Sequence, residues 1–194
     1  IPFGMESTVS YGEGTKNGPA AIIKASHQVE FFDEELKKEL DVEFIATLSS
    51  VKIKKSNKDA IGQIKDIVLN ILDSGKLPVA LGGEHSLTFG IIQALKKKYE
   101  DFSILQFDAH TDLRDSYLGD KLSHAAVMRR CLDLPGVNLV QIGVRDVSAE
   151  ECDGKEYEFM QKSKDKIKTF FAHEKKNWKL KDILGGLKDK VYIS

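Results

Sequence analysis

The sequence predicts an α/β fold of three layers, with helices on both faces of a mostly parallel sheet. Three observations carry that prediction. Short apolar runs bounded by turn residues recur along the chain, segments of helical spacing lie between them, and several runs are nearly continuous in Val, Ile, Leu and Phe. A continuous apolar run of this length suits a strand buried on both faces, which is the situation of strands in a parallel sheet. The 194 residues, 41% of them hydrophobic, fit one domain with a sizeable core.

The predicted strands are 77–81, 102–107, 137–143, 167–171 and 191–194. After Ser56-x-x-Asp59, which has the form of a helix start, Ala60, Ile61, Ile64, Ile67, Val68, Ile71 and Leu72 repeat at helical spacing until Gly75 closes the helix. A second helix is expected over 86–98, a third over 123–132 and a fourth from near Ala149, each crossing between strands. The run Lys96-Lys97-Lys98 reads as a solvated last turn favoured by the helix dipole. Both ends look abrupt. Residues 1–4 read as the tail of a strand, and 191–194 as a strand without the helix that would cover it, so further chain is expected beyond Ser194.

Composition removes several classes of function. With 29 Lys+Arg against 30 Asp+Glu the formal net charge is −1, which gives no reason to expect a nucleic-acid or membrane-surface partner. No apolar run approaches the roughly 18 residues that cross a bilayer, and no signal-like stretch opens the chain, so the expected compartment is the cytoplasm. Cys131 and Cys152 are far apart and form no Cys-x-x-Cys pair, so both read as ordinary thiols.

The chemistry lies at the predicted strand ends. Gly82-Gly83-Glu84-His85 follows one strand and Asp108-Ala109-His110-Thr111-Asp112 the next. Open α/β sheets gather side chains in the crevice beyond the carboxyl ends of their strands. If extended geometry persists past 107, residues 108, 110 and 112 share one side, so two carboxylates and an imidazole face one way. Three such groups close together need a neutralising partner, and a divalent cation is the simplest. The competing reading is a set of solvated loop residues, and the second cluster upstream is what argues against it. Gly82 and Gly83 read as permitting a tight strand-to-helix turn; the Lys and Ser/Thr ending of a phosphate loop is missing.

Taken together, Gly14-Thr15-Lys16-Asn17-Gly18-Pro19-Ala20-Ala21, Leu81-Gly82-Gly83-Glu84-His85-Ser86, Phe107 to Asp115, Ser123-His124-Ala125 and Gly143-Val144-Arg145-Asp146 resemble the ureohydrolases, the family of arginase, agmatinase and formimidoylglutamase, and most closely its agmatinase branch. The resemblance extends over essentially the whole chain. It implies an arginase-like fold and two manganese ions that activate water for attack on a guanidinium carbon. By the same resemblance His85 and Asp112 are ligands of one ion, His110 of the other, and Asp108 bridges them. A donor set rich in carboxylate and free of thiolate independently suits a hard ion such as Mn²⁺. His124 takes a catalytic role in proton transfer to the leaving amine, although the family often has Gly after this His and Ala125 stands here. Glu84 supports the turn or the ligands rather than binding metal. Arg145-Asp146 reads as a structural or subunit-contact pair, and His27 and His173 receive no role.

The chain stops at Tyr192-Ile193-Ser194, on the first residue of the family's third metal motif, so four of six expected ligands are present. This polypeptide alone is accordingly expected to bind manganese weakly and to be inactive. The favoured substrate is agmatine, giving urea and putrescine. Arg114 could clamp a carboxylate, as a guanidino-acid hydrolase requires, or pair with Asp115. Arginase or formimidoylglutamase activity would also be consistent with the family resemblance. Two further classes are a regulatory or assembly subunit without chemistry and a single-zinc hydrolase. A homo-oligomer, trimer or hexamer, is the default that the resemblance implies.

Overall fold

The computed structural model describes residues 1–149 and 155–194. In chain order the elements are β1 (Pro2–Phe3), α1 (Gly18–Ser26), β2 (Phe32–Asp33), β3 (Lys38–Glu39), α2 (Asn57–Asp73), β4 (Leu81–Gly82), α3 (Leu87–Leu95), β5 (Phe102–Phe107), α4 (Val127–Leu132), β6 (Val137–Val144), α5 (Glu156–Lys162), β7 (Ile167–Phe171), α6 (Leu180–Leu184) and β8 (Val191–Ile193). The larger sheet has the order β7-β6-β5-β8 and is parallel throughout. A second parallel pair joins β1 to β4, and β2 and β3 form a small antiparallel hairpin.

The β5–β6 ladder runs in register from Phe102 opposite Val137 to Phe107 opposite Ile142. Strand alternation sends Phe102, Ile104, Val137 and Leu139 into one core with Ile92, Val127, Met128 and Leu132. On the opposite face the turn after α6 closes over the sheet. There the Asn138 Nδ2 donates to the Gly186 carbonyl at 2.9 Å and the Lys188 N–H donates to Ser103 Oγ at 2.8 Å. β5 and β6 thus have chain packed on both sides, as the α/β layering requires.

A second core joins Phe3 and Met5 to α2 and α3 through Ala60, Ile61, Ile64, Val68, Leu87, Ile91 and Ala94. Ile64 and Val68 are fully buried, and each such burial stabilises by about 1.5–3 kcal/mol. α3 belongs to both cores, since Ile92 packs in the first and Ile91 in the second. That shared helix fixes β4 and β5 relative to each other, and His85 and the 108–112 cluster follow these two strands.

α2 begins and ends as its sequence predicts. Ser56 caps it by accepting from the Asp59 N–H at 3.1 Å while its hydroxyl donates to Asp59 Oδ2 at 2.6 Å. At the other end Gly75 takes φ +69, its N–H bonds Leu72 O and the Lys76 N–H bonds Ile71 O, the two bonds of a Schellman motif.

Other expectations need correction. Of the predicted strand 77–81 only Leu81 pairs in a ladder, together with Gly82 just beyond it, and Leu77 is 87% exposed. Pro2 and Phe3 pair with Leu81 and Gly82, while Ala80 packs against the core of α2 and α3 without joining the ladder. β8 lies at the edge of the larger sheet with Ile193 67% exposed, in keeping with the uncovered face expected for 191–194. The helix expected over 86–98 stops at Leu95, leaving the Lys96-Lys97-Lys98 run in a turn. The one over 123–132 opens as a 3₁₀ turn at His124–Ala126 before α4. Ala149 is not helical, residues 150–154 lie outside the described residues, and α5 is seen from Glu156. α1, the β2–β3 hairpin and α6 were not anticipated. α1 carries Pro19 in its first turn, where a missing N–H is harmless, and α6 is too short to show a period. Cys131 is a buried thiol whose burial pushes its pKa far up, while Cys152 lies outside the described residues.

Candidate metal centre

Both clusters sit at the carboxyl ends of parallel strands. Gly83 allows the chain after β4 to press against the N-terminal segment, because a Cβ there would collide with the Met5 backbone. The Glu84 N–H then donates to Met5 O at 2.8 Å, and His85 emerges at the mouth of the crevice.

The His85 Nδ1 lies 2.6 Å from Asp112 Oδ2 and 3.5 Å from Asp108 Oδ2. One donor atom from each of His85, Asp108 and Asp112 falls within 4.8 Å of the others, close enough for one cation to touch all three. The second ring nitrogen of His85 is 2.7 Å from Ser194 Oγ, just past β8. On the far side of Asp108, Oδ1 is 3.3 Å from His110 Nδ1, and His110 Nε2 is 3.8 Å from Asp146 Oδ2. Asp108 therefore presents one carboxylate oxygen to each histidine.

The expected single-sided array of 108, 110 and 112 does not form. β5 ends at Phe107, the His110 N–H donates back to Asp108 Oδ1 at 2.9 Å, and Asp112 adopts φ +52. This turn carries Asp112 inward beside His85 and leaves the His110 side chain 62% exposed. Three of the four expected ligands converge, and the fourth stands beside the shared aspartate.

The loop is held by buried polar side chains that carried no motif. Glu156 accepts from the Thr111 hydroxyl, from the Leu113 N–H at 2.8 Å and from the Ser148 N–H at 2.9 Å. Gln141 Nε2 is shared between Gln106 Oε1 at 2.7 Å and Thr111 O at 2.8 Å, and Gln106 reaches Asp108 Oδ2 at 3.3 Å. A glutamine inside each of two apolar strands was the available signal. The N–H groups of Arg145 and Asp146 both donate to Ala109 O, at 2.8 and 3.1 Å, so this pair ties β6 to the same loop.

Burial favours the neutral form of His85, but its hydrogen bond to Asp112 and the charges of Asp112 and Asp108 outweigh burial and raise its pKa. Burial likewise opposes ionisation of Glu84, yet donors from Ser86, Thr8 and Ser7 hold its carboxyl below the usual range. Glu84 faces the N-terminal segment rather than the cluster: it accepts from the Ser7 N–H at 2.6 Å, the Thr8 N–H at 2.7 Å, the Thr8 hydroxyl at 2.8 Å and the Ser86 hydroxyl at 2.6 Å.

His124, at the start of its 3₁₀ turn, stands with Nδ1 3.0 Å from Thr8 Oγ1 and Nε2 3.1 Å from Ser10 Oγ. Its ring meets the Tyr117 ring edge-on at 5.4 Å. His85, Asp108, His110, Asp112, His124 and Arg114 all line one open cleft of about 920 Å³. Asp115 pairs with Arg130 at 2.9 Å and Lys121 at 3.4 Å, while the Arg114 guanidinium lies 5.2 Å from the centre of the Tyr117 ring.

In comparison with known proteins, the model of the arginase family matches residues 1–194. The chain belongs to the arginase family. Among curated members of the arginase family, an agmatinase of Bacillus cereus is 38% identical over 151 residues, covering 77% of this chain and 52% of its own. An N(1)-aminopropylagmatine ureohydrolase of Synechocystis is 36% identical over 161 residues, covering 79% and 52%. The crystal structure of agmatine ureohydrolase of Thermoplasma volcanium superposes with a TM-score of 0.82 at 32% identity, over 97% of this chain and 62% of that one. The chain spans about half the length of these curated arginase-family relatives, 52% in each case.

Proposed function

We propose that this chain carries metal-holding residues of a binuclear manganese hydrolase that cleaves the guanidinium group of agmatine to urea and putrescine. The observation that carries the reading is the convergence of His85, Asp108 and Asp112 within 4.8 Å at two strand ends, with His110 on the other oxygen of Asp108. In this reading His85, Asp108 and Asp112 would hold one ion, and His110, beside the other oxygen of Asp108, would help hold the second. Two carboxylates, two imidazoles and no thiolate fit a hard divalent ion. When bound, such a pair lowers the pKa of water and stabilises charge developing on the reacting group.

The chain's own side chains do the rest. With a cation on Nδ1, an Nε2–H of His85 would donate to Ser194 Oγ, 2.7 Å away, the kind of outer contact that orients a metal ligand. His124 lines the cleft and exchanges a proton with the leaving amine. Relatives named as agmatinases support agmatine as substrate. A homo-oligomer, trimer or hexamer, working in the cytoplasm completes the proposal. Among the described residues no helix is long and apolar enough to cross a membrane.

A second reading, a guanidino acid as substrate, is favoured by the presence of Arg114, a residue type that can clamp a carboxylate, in the lining of the cleft beside Tyr117. The two are separated by offering agmatine, arginine, formimidoylglutamate and guanidinobutyrate to the protein translated from its complete message, with Mn²⁺. Agmatine turnover that needs the metal supports the proposal. Turnover confined to a carboxylate-bearing substrate rejects agmatine, and no turnover of any of the four rejects the hydrolase.

A further inference from the structure

We infer that Thr8, anchored by Glu84, is a positioning residue that fixes the tautomer of His124, placing the ring proton on Nδ1 and the lone pair on Nε2 within the cleft. The inference rests on the proposed proton-transfer role of His124 and adds which nitrogen performs it.

The argument is a count of protons and lone pairs. A threonine hydroxyl has one hydrogen to donate and two lone pairs to accept with. The Glu84 carboxylate receives four donors, two of them backbone N–H groups on Oε2 and two hydroxyls on Oε1. A carboxyl oxygen surrounded in this way has only acceptors to offer, so the Thr8 hydroxyl hydrogen points at Glu84 Oε1, 2.8 Å away. The His124 backbone N–H donates to Thr8 Oγ1 at 3.1 Å and occupies one lone pair. One lone pair is left, and His124 Nδ1 lies 3.0 Å from it. Two acceptors cannot bond each other, so Nδ1 must carry a hydrogen.

A neutral imidazole with hydrogen on Nδ1 has its basic site at Nε2. That nitrogen is 3.1 Å from Ser10 Oγ, and both residues line the cleft that also contains Asp108 and Asp112. The Ser10 hydroxyl donates to Nε2 until a substrate amine or water takes its place. The N-terminal segment thereby aims the imidazole: without Thr8, neither nitrogen has a preferred proton and the ring is free to flip.

Long-range proton–nitrogen NMR of histidine-labelled protein, with a chelator present to remove paramagnetic ions, reads the tautomer without any turnover. Its result is therefore independent of whether the hydrolase reading stands. The His124 signals are assigned by their loss in His124→Asn. In the unmodified chain above the imidazole pKa, Nδ1 is expected at a protonated nitrogen shift and Nε2 at an unprotonated one. Thr8→Ser and Ser10→Ala keep that pattern, whereas Thr8→Val and Glu84→Gln lose it and give averaged or reversed shifts. A proton on Nε2 in the unmodified chain overturns the inference even if the Val variant does not fold. So does a folded Thr8→Val with unchanged shifts.

Discussion

Asp108 is where residue chemistry is concentrated, because its two oxygens face different histidines, His85 at 3.5 Å and His110 at 3.3 Å. This division of labour makes single substitutions separable. His110→Ala is expected to lower Mn²⁺ stoichiometry from two to one in titration calorimetry, whereas Asp108→Asn weakens both sites together. A His110 variant that still binds two ions with unchanged affinity contradicts the assignment. Glu156 supports the same loop from beneath. Removing its carboxylate leaves the buried donors of Thr111 and Leu113 without this acceptor and breaks the part-buried bond from the Ser148 N–H, at about 1–3 kcal/mol for each unsatisfied group. Glu156→Ala should therefore destabilise by roughly 3 kcal/mol or more, lowering Tm by about 6–12 °C for a domain of this size. It should also loosen the Asp112 turn and weaken metal affinity by about 10–100-fold. A melting curve and a metal titration check both, and an unchanged Tm would show that Glu156 is dispensable.

The elements divide into those whose sequence states its own boundaries and those that depend on neighbours. α2 is of the first kind, with a capping serine, a helical apolar stripe and a glycine at φ +69. β4 is of the second, because apolar residues 77–80 acquire no ladder and only Leu81 and Gly82 pair, with β1. Beyond Met5, whose side chain is in the second core, the N-terminal segment is fastened by polar bonds. Glu6 accepts from the Gly14 N–H at 2.6 Å and from Lys16 Nζ at 2.7 Å. The Lys16 hydrogen bond comes first among the causes that hold its carboxyl at about 2 instead of the ordinary 4.5. A lowered folded pKa means stability that is complete above the ordinary value and drains away as pH falls toward the folded one. The urea midpoint of the protein should thus fall more steeply between about pH 4.5 and 2 than that of Glu6→Gln. Parallel curves for the two would show that this contact does not hold the fold.

For the whole molecule, the parallel strands of the larger sheet, a sizeable core and the side chains that gather at the strand ends were legible from apolar runs, helical spacing and the positions of His and Asp beyond those runs. What was not legible depends on the turn beyond Phe107. Alternation placed 108, 110 and 112 together, and a backbone turn at Asp112 rearranged them, since strand geometry ends where the ladder ends. Thr8 and Ser10 were hidden for a related reason: they reach His124 across 116 and 114 residues of sequence, a contact no local pattern reports. The account stands on one electrostatic statement, that these carboxylates and imidazoles are gathered to hold cations. Anomalous diffraction from crystals soaked in Mn²⁺ tests it most directly. Two peaks sharing Asp108, one beside His85 and Asp112 and one beside His110, are the predicted result, and a map without an anomalous peak at these four side chains would contradict it.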